Sequence, residues 1–258
     1  MKAVAAVLVL GLAASGPVLA DGIAPGERRS GAAFMSEETR AMEADDSLNP
    51  GMLWVEEGEA LWRTPAGASG RSCADCHGDA ARSMAGVAAR HPVYDAATGA
   101  PRTLAGSIAQ CRSDRQGAPR PAPESPEMLA LSAYVARQSR GMSITAGEDP
   151  RLAPSVEAGR RLFTTRMGQL ALSCADCHDD NWGRRLGGAP IPQAHPTAYP
   201  LYRLEWQSLG SLQRRLRNCL AGMRAEPWPE GSDEAAALEL FLMARARGMP
   251  LEAPGVRP

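Results

Sequence analysis

The pentapeptide Cys-Ala-Asp-Cys-His occurs twice in the chain, as residues 73–77 and again as residues 174–178. Two thiols three residues apart lie on one helical turn, where they can bond to the two vinyl carbons of a haem while the adjacent histidine ligates the iron. A zinc site is the competing interpretation, but no second cysteine pair or His-x-x-x-His follows at the usual spacing. A redox dithiol is another alternative. We predict two covalently bound haem c groups, held by Cys73, Cys76 and His77 and by Cys174, Cys177 and His178.

The sequence around the pentapeptides is repeated as well. Gly58 matches Gly159 at a shift of 101 residues, and small insertions bring Leu131 onto Leu238 at a shift of 107. Each half contains an amphipathic helix, the pentapeptide, a loop rich in glycine and proline, a short helix with one more cysteine, and a closing helix. The predicted fold class is all-α, with two tandem class I cytochrome c-like domains and long irregular loops.

The chain divides into four predicted segments. Residues 1–20 have a basic start, an apolar run too short for a bilayer, and small residues at the end, which is typical of a cleaved signal peptide. Residues 21–50 are an N-terminal arm, residues 51–145 the first haem domain, and residues 146–258 the second, with a linker expected at 143–155. We therefore expect a periplasmic protein without stable membrane insertion.

The overall charge excludes one class of partner. The 258 residues include 28 Lys and Arg against 29 Asp and Glu, which gives a net charge of -1. Such a chain has no long-range attraction for a phosphate polymer, so we expect no nucleic-acid partner. Only 5% of the residues are aromatic, which fits a core in which haem supplies large flat apolar surfaces.

Each half has one cysteine outside the pentapeptide, Cys111 or Cys219, at equivalent positions on predicted short helices. Equivalent residues of two domains are each expected to face their own cofactor, which favours ligation of both irons by a thiolate. One alternative is a disulfide between Cys111 and Cys219. Another is ligation by a methionine, such as the equivalent Met142 and Met249, with both thiols free.

The two short helices differ in charge. The second carries Arg214, Arg215 and Arg217 where the first has no cation. Arg215 precedes Cys219 by four residues and therefore shares its helical face. Guanidinium groups bind oxyanions through a planar fork of donors, and a nearby cation favours the nucleophilic thiolate. Cys219 and Arg215 are therefore candidates for a nucleophile and an oxyanion ligand, although arginines that only solubilise the chain would give the same pattern. Two further candidate anion ligands are Arg224 and Arg245.

The segment around Cys219 is the most specific in the chain. Residues 214–219 read Arg-Arg-Leu-Arg-Asn-Cys, and residues 224–229 read Arg-Ala-Glu-Pro-Trp-Pro. With both pentapeptides and Cys111, this segment resembles the SoxA subunits of the SoxAX cytochromes of bacterial sulfur oxidation. The resemblance implies His/Cys ligation of both irons, through His77 with Cys111 and through His178 with Cys219.

The resemblance also implies a reaction and two partners. In this family the cysteine matching Cys219 is the active residue and can carry a persulfide, and the arginine matching Arg215 contacts the substrate. The implied enzyme is an L-cysteine S-thiosulfotransferase that couples thiosulfate oxidatively to a cysteine of the SoxYZ carrier protein, while electrons leave through the haems. The implied stable partner is a monohaem cytochrome, SoxX, in a heterodimer. The alternatives are a dihaem thiosulfate dehydrogenase that forms tetrathionate, and an electron-transfer cytochrome in which Cys219 is only a ligand.

Overall fold

The structure, a computed structural model, describes residues 22–258, and the predicted signal peptide lies outside them. Within the described residues, no helix is long and apolar enough to cross a membrane. Three short 3-10 helices occur at Pro25–Glu27, Gly31–Phe34 and Pro150–Leu152. The α-helices of this range are α1 Glu37–Ala44, α2 Gly51–Arg63, α3 Cys73–His77, α4 Ala80–Ser83, α5 Val87–Arg90, α6 Leu104–Gln116, α7 Pro126–Arg137, α8 Ala153–Thr164, α9 Cys174–His178, α10 Leu212–Gly222 and α11 Asp233–Arg245.

Short strands accompany the helices, so the all-α prediction is only partly correct. Two antiparallel hairpins and one three-stranded sheet, with the order β6-β5-β7, occur in the described chain. Strands of two or three residues are too short to produce an alternating pattern, which is why the sequence did not reveal them. The strands are β1 Val93–Asp95, β2 Ala100–Arg102, β3 Arg185–Leu186, β4 Ala189–Pro190, β5 Leu201–Arg203, β6 Ser208–Gly210 and β7 Gly255–Arg257.

The same order of elements occurs in both halves. The first half contains, in order, helices α2 and α3, the hairpin β1-β2, and helices α6 and α7. The equivalent elements of the second half are, in the same order, α8, α9, the hairpin β5-β6, α10 and α11. In each half the first and last of these helices pack against each other. At these two crossings Gly58 lies against Tyr134, and Gly159 lies against Phe241. A side chain larger than hydrogen would not fit at either glycine.

The start of the predicted linker, at Ile144, is part of the core. Ile144 is fully buried, and its N–H donates to the carbonyl of Met249, 2.9 Å away. In return the N–H of Gly248 donates to the carbonyl of Ile144, also at 2.9 Å. Ile144 packs in one apolar cluster with Met243 and Leu251. The start of the linker therefore fills the interface between the halves.

The N-terminal arm is anchored to the end of the chain. The carboxylate of Glu43, on α1, accepts a hydrogen bond from the backbone N–H of Val256 at 2.6 Å and pairs with Arg257. The amide nitrogen of Asn49 donates to the carbonyl of Pro254 at 2.9 Å. These contacts join segments more than 200 residues apart, and they fix the strand β7 beside β5.

Candidate functional site

Helix α9 is a single capped turn that presents the second pentapeptide. The hydroxyl of Ser173 accepts a hydrogen bond from the N–H of Asp176 at 3.1 Å, and the Asp176 carboxylate accepts one from the N–H of Ser173 at 2.7 Å. This reciprocal capping box satisfies two donors at the start of the helix. The turn thereby fixes Cys174, Cys177 and His178 close together.

The His178 imidazole is prepared to ligate a metal through Nε2. Its Nδ1 is 2.7 Å from the carbonyl oxygen of Pro192, and a carbonyl can only accept, so the proton is on Nδ1. Burial lowers the pKa of His178 against the opposing effect of this hydrogen bond, and the positive charges of Arg215 and Arg245 lower it further. A neutral ring with a free Nε2 lone pair is the form that binds iron.

Cys219 lies beside the two cysteines of the same half. Burial raises the pKa of the Cys174 thiol to about 12, and the neighbouring Cys219 is the next largest cause. Burial and then Cys219 also raise the pKa of Cys177. No disulfide joins Cys111 to Cys219, and Cys111 lies beside Cys76 while Cys219 lies beside Cys177, so the alternative of a disulfide between them is wrong.

The first pentapeptide has a similar arrangement on α3. Burial raises the pKa of Cys73, with Cys111 as the next cause, and burial followed by Cys76 raises the pKa of Cys111. His77 stacks at a tilt on Trp62, with 5.6 Å between ring centroids. Each extra cysteine therefore lies next to the pentapeptide of its own half, as the repeat predicts.

The methionines and histidines outside the pentapeptides have other surroundings. Met142 is 43% exposed, and Met249 packs against the cluster between the halves. His91 is buried, with Nδ1 2.7 Å from the Val87 carbonyl and Nε2 3.1 Å from the Ser107 hydroxyl. Both nitrogens of His91 are thus engaged by the protein, which indicates a structural role.

The three arginines of α10 differ in their partners. The guanidinium of Arg214 stacks on Trp206, 4.2 Å from the ring centroid, and Nη1 of Arg217 donates to Glu230 at 2.9 Å. Within residues 22–258, the half-buried guanidinium of Arg215 has neither a salt bridge nor a hydrogen bond. Its five N–H donors are therefore available to an anion.

Tyr199 is a residue of this site that the sequence analysis missed. Burial raises the pKa of its phenol, Arg215 opposes that shift, and Cys219 adds to it. The phenol therefore lies within electrostatic reach of both Arg215 and Cys219. Tyr199 precedes β5 and belongs to no motif, so only the folded chain brings it to the site.

Arg245 was a candidate anion ligand, but its guanidinium is already engaged. Its side chain is 1% exposed and forms an ion pair with Asp179, the residue that follows His178. Nε donates to the carbonyl of Gln193 at 3.2 Å, and the guanidinium lies 4.9 Å from the ring centroid of Phe163. The buried positive charge of Arg245 therefore contributes to the electrostatic environment of His178.

The donor set at each pentapeptide fits a covalently bound haem. Two thiols lie on one turn beside a histidine, and a further thiol lies close to them. A mostly helical fold with this arrangement defines a c-type cytochrome. The sequence model of the family described as SoxA/TsdA, cytochrome c domain, matches residues 57–144 and 158–251. The chain belongs to this family.

Its relatives include proteins named L-cysteine S-thiosulfotransferase subunit SoxA. That of Rhodovulum sulfidophilum is 39% identical over 231 residues, covering 90% of this chain and 80% of the relative. That of Pseudaminobacter salicylatoxidans is 38% identical over 232 residues, covering 90% of this chain and 81% of the relative. A solved structure of SoxXA from P. pantotrophus matches with a TM-score of 0.86 and 35% identity, over 90% of this chain and 87% of that one. The fold is the cytochrome c-like two-domain fold of SoxA.

Proposed function

We propose that this chain is the active c-type cytochrome subunit of an L-cysteine S-thiosulfotransferase. Its reaction joins thiosulfate to a cysteine of the SoxYZ carrier protein and releases two electrons. The observation that carries the proposal is the combination on α10 of Cys219, which lies beside the second pentapeptide, with Arg215, whose guanidinium has no protein partner in the described chain. The reaction needs a sulfur nucleophile next to an oxyanion ligand, and these two residues supply both.

Cys219 and Arg215 have different roles in the proposed reaction of thiosulfate. Arg215 binds the sulfonate oxygens through its fork of donors and so directs the terminal sulfur toward Cys219. A sulfur–sulfur bond between the Cys219 thiolate and thiosulfate gives a Cys219 S-thiosulfonate and releases two electrons. The carrier thiolate then attacks this adduct, takes over the thiosulfate group and restores the Cys219 thiolate. In sum, a thiol and thiosulfate give a carrier S-thiosulfonate, one proton and two electrons.

We assign one haem c to each of two domains, residues 51–145 and residues 146–258. Cys73 and Cys76 would hold the first haem, with His77 and Cys111 as iron ligands. The second would be held by Cys174 and Cys177, with His178 and Cys219 as ligands. When bound, haem supplies a one-electron acceptor and a path by which electrons leave. The mass of the intact protein tests this assignment, because it counts the bound haems and detects any additional sulfur of about 32 Da from a persulfide.

The similarity to SoxXA supports a heterodimer with the monohaem cytochrome SoxX. We further propose export to the periplasm with removal of residues 1–20. Co-expression with SoxX followed by size-exclusion chromatography tests the heterodimer, and N-terminal sequencing of the exported protein tests the cleavage. A chain that elutes alone, or one that retains its first residues, would refute the corresponding proposal.

Replacing each extra cysteine in turn tests the role of Cys219. Cys219→Ser should abolish carrier-dependent oxidation of thiosulfate, because serine forms no sulfur–sulfur bond. Cys111→Ser is the matched control, since it removes the equivalent thiol of the other half and should leave the sulfur chemistry at Cys219 in place. Carrier-dependent turnover by Cys219→Ser would refute the proposal. Tetrathionate as the only product of the unaltered protein would instead indicate a thiosulfate dehydrogenase.

A second pair of variants tests Arg215 as the oxyanion ligand. A hydrogen bond to a charged group is worth about 1.5–3 kcal/mol, so Arg215→Met should lower kcat/KM by roughly 10- to 100-fold. Arg217→Met is the control, because Arg217 lies on the same helix but is paired with Glu230. Equal losses in both variants would indicate that general surface charge, and not Arg215, binds thiosulfate.

A further inference from the structure

A cavity of about 660 Å³ lies between the two halves, away from both pentapeptides. Helices α6 and α7 and the hairpin β1-β2 form its walls on one side, and α10 and α11 form them on the other. Neither the six cysteines nor the histidines of the pentapeptides line it. Tyr199, whose phenol is within electrostatic reach of Arg215 and Cys219, also lines it, but none of the residues given a role in the proposed reaction does.

Two polar residues at equivalent positions of the repeat line the cavity, Ser132 on α7 and Glu239 on α11. Ser132 is 8% exposed, and its buried hydroxyl has no hydrogen-bond partner. A helical serine can bond back to the carbonyl four residues earlier, but this one does not. The carboxylate of Glu239 accepts one hydrogen bond, from Nε2 of Gln213 at 2.9 Å. A carboxylate has room for about four.

The guanidinium groups and the Gln213 amide that line the cavity have partners within the protein. The guanidinium of Arg102 pairs with Asp95 at 3.2 Å, and that of Arg120 donates to Ser113 at 3.1 Å. The oxygen of the Gln213 amide accepts from a backbone N–H while its nitrogen donates to Glu239. The Glu239 carboxylate, which can only accept, therefore has unused capacity for the donors of a ligand, and the hydroxyls of Ser132 and Tyr199 can donate or accept.

The charge and the apolar walls define the ligand more closely. Five acidic side chains line the cavity against two arginines. Glu230 pairs with Arg217 and Asp95 with Arg102, and the three remaining acids against the single remaining arginine of the lining favour a cation. An apolar surface next to these charged groups is formed by Leu104, Met128, Leu129, Leu212 and Met243. A ligand that suits both parts has a positively charged donor at one end and a hydrocarbon body.

We propose that the cavity binds a small organic ammonium ion, with its head group on Glu239 and Ser132 and its hydrocarbon body against Met128 and Leu129. Burial raises the pKa of Glu239 to about 7, with the Gln213 hydrogen bond opposing the shift. An ammonium group beside the carboxyl stabilises the ionised form and gives the carboxylate the donors that it lacks. The site joins α7 to α11, and neither Glu239 nor Ser132 takes part in the sulfur chemistry proposed at Cys219.

Calorimetric titration of the haem-loaded protein at pH 8 tests the proposal with n-butylammonium chloride as the probe. 1-Butanol is the matched probe, because it has the same hydrocarbon chain without the charge. We expect n-butylammonium to bind about tenfold more tightly than 1-butanol, which corresponds to about 1.4 kcal/mol. Equal affinities, or no heat of binding with n-butylammonium, would overturn the proposal.

Variants of the lining locate the binding. Glu239→Gln keeps the shape of the side chain and should weaken n-butylammonium binding about tenfold, and Ser132→Ala should weaken it to a smaller extent. Glu234→Gln is the control, because Glu234 is exposed on the same helix. If Glu239→Gln does not fold, Ser132→Ala and difference density in crystals soaked with n-butylammonium decide the question. Unchanged affinity in the folded variants, or density elsewhere, refutes the site.

The same titration identifies the source of the ammonium group. A lysine with an acetylated N-terminus and an amidated C-terminus presents the same group on a peptide backbone. Binding of this probe as tightly as n-butylammonium would indicate a lysine side chain as the ligand. Binding of n-butylammonium alone would indicate a free amine. Either result supports the ammonium chemistry.

Discussion

The two helix crossings at Gly58 and Gly159 give a prediction whose size can be worked out from the structure. A Cβ atom added at Gly159 would lie 2.6 Å from the Cβ of Phe241 and closer still to the carbonyl oxygen of Ala237. At Gly58 the corresponding distance to the Cβ of Tyr134 is also 2.6 Å. Because a backbone carbonyl cannot rotate away as a side chain can, the paired helices would have to move apart.

The expected loss is the difference between two effects. Overpacking in a core costs about 1–3 kcal/mol, and a clash with the backbone belongs at the upper end of that range. Alanine is favoured over glycine in a helix by about 1 kcal/mol. We therefore expect Gly159→Ala and Gly58→Ala each to lower the free energy of unfolding by about 2 kcal/mol.

Gly222→Ala is the matched control. Gly222 is also a helical glycine, but a Cβ atom added there would have no atom from another part of the described chain within 4 Å. It should leave the stability unchanged or raise it by up to about 1 kcal/mol. Urea unfolding of the haem-loaded protein, followed by far-UV circular dichroism and by haem absorbance, measures all three variants. Wild-type stability of Gly159→Ala would refute the argument that these crossings require glycine.

Three further predictions concern α9 and its surroundings. Ser173→Ala should lower the free energy of unfolding by about 1 kcal/mol, since it removes the helix cap, and Ser173→Thr should restore most of it in the same urea assay. The hydrogen bond from the Ser173 N–H lowers the pKa of Asp176 below its ordinary 3.8. The stability that the ionised Asp176 carboxylate provides is therefore present above pH 3.8 and is lost as the pH falls below this value. Acid unfolding of Asp176→Asn should therefore depend less on pH, and an unchanged acid limb would contradict this. Asp179→Asn should raise the midpoint potential of the haem proposed at α9, and Arg245→Gln should lower it, because each removes one charge of the ion pair and keeps the other. Shifts in the same direction in a spectroelectrochemical titration would exclude an electrostatic effect of this ion pair.

The sequence predicted the features that depend on neighbouring residues. The two pentapeptides, the helices around them and the position of Arg215 one turn before Cys219 all follow from spacings of three or four residues. The repeat extended this prediction to the two extra cysteines, because equivalent positions in two copies of one fold have equivalent surroundings. The short strands were missed, since β7 pairs with β5 from more than fifty residues away and local patterns do not record such pairing.

The partners of the charged groups were decided by the tertiary structure. From the sequence, Arg215 and Arg245 are similar candidates, and only the folded chain pairs Arg245 with Asp179 while leaving Arg215 without a partner in the described residues. Packing also brings Tyr199 to Cys219 and faces Ser132 and Glu239 into one space between the halves. The physical reason is that covalent attachment and helical spacing act over a few residues, whereas ion pairing, burial and cavities depend on which distant surfaces come into contact.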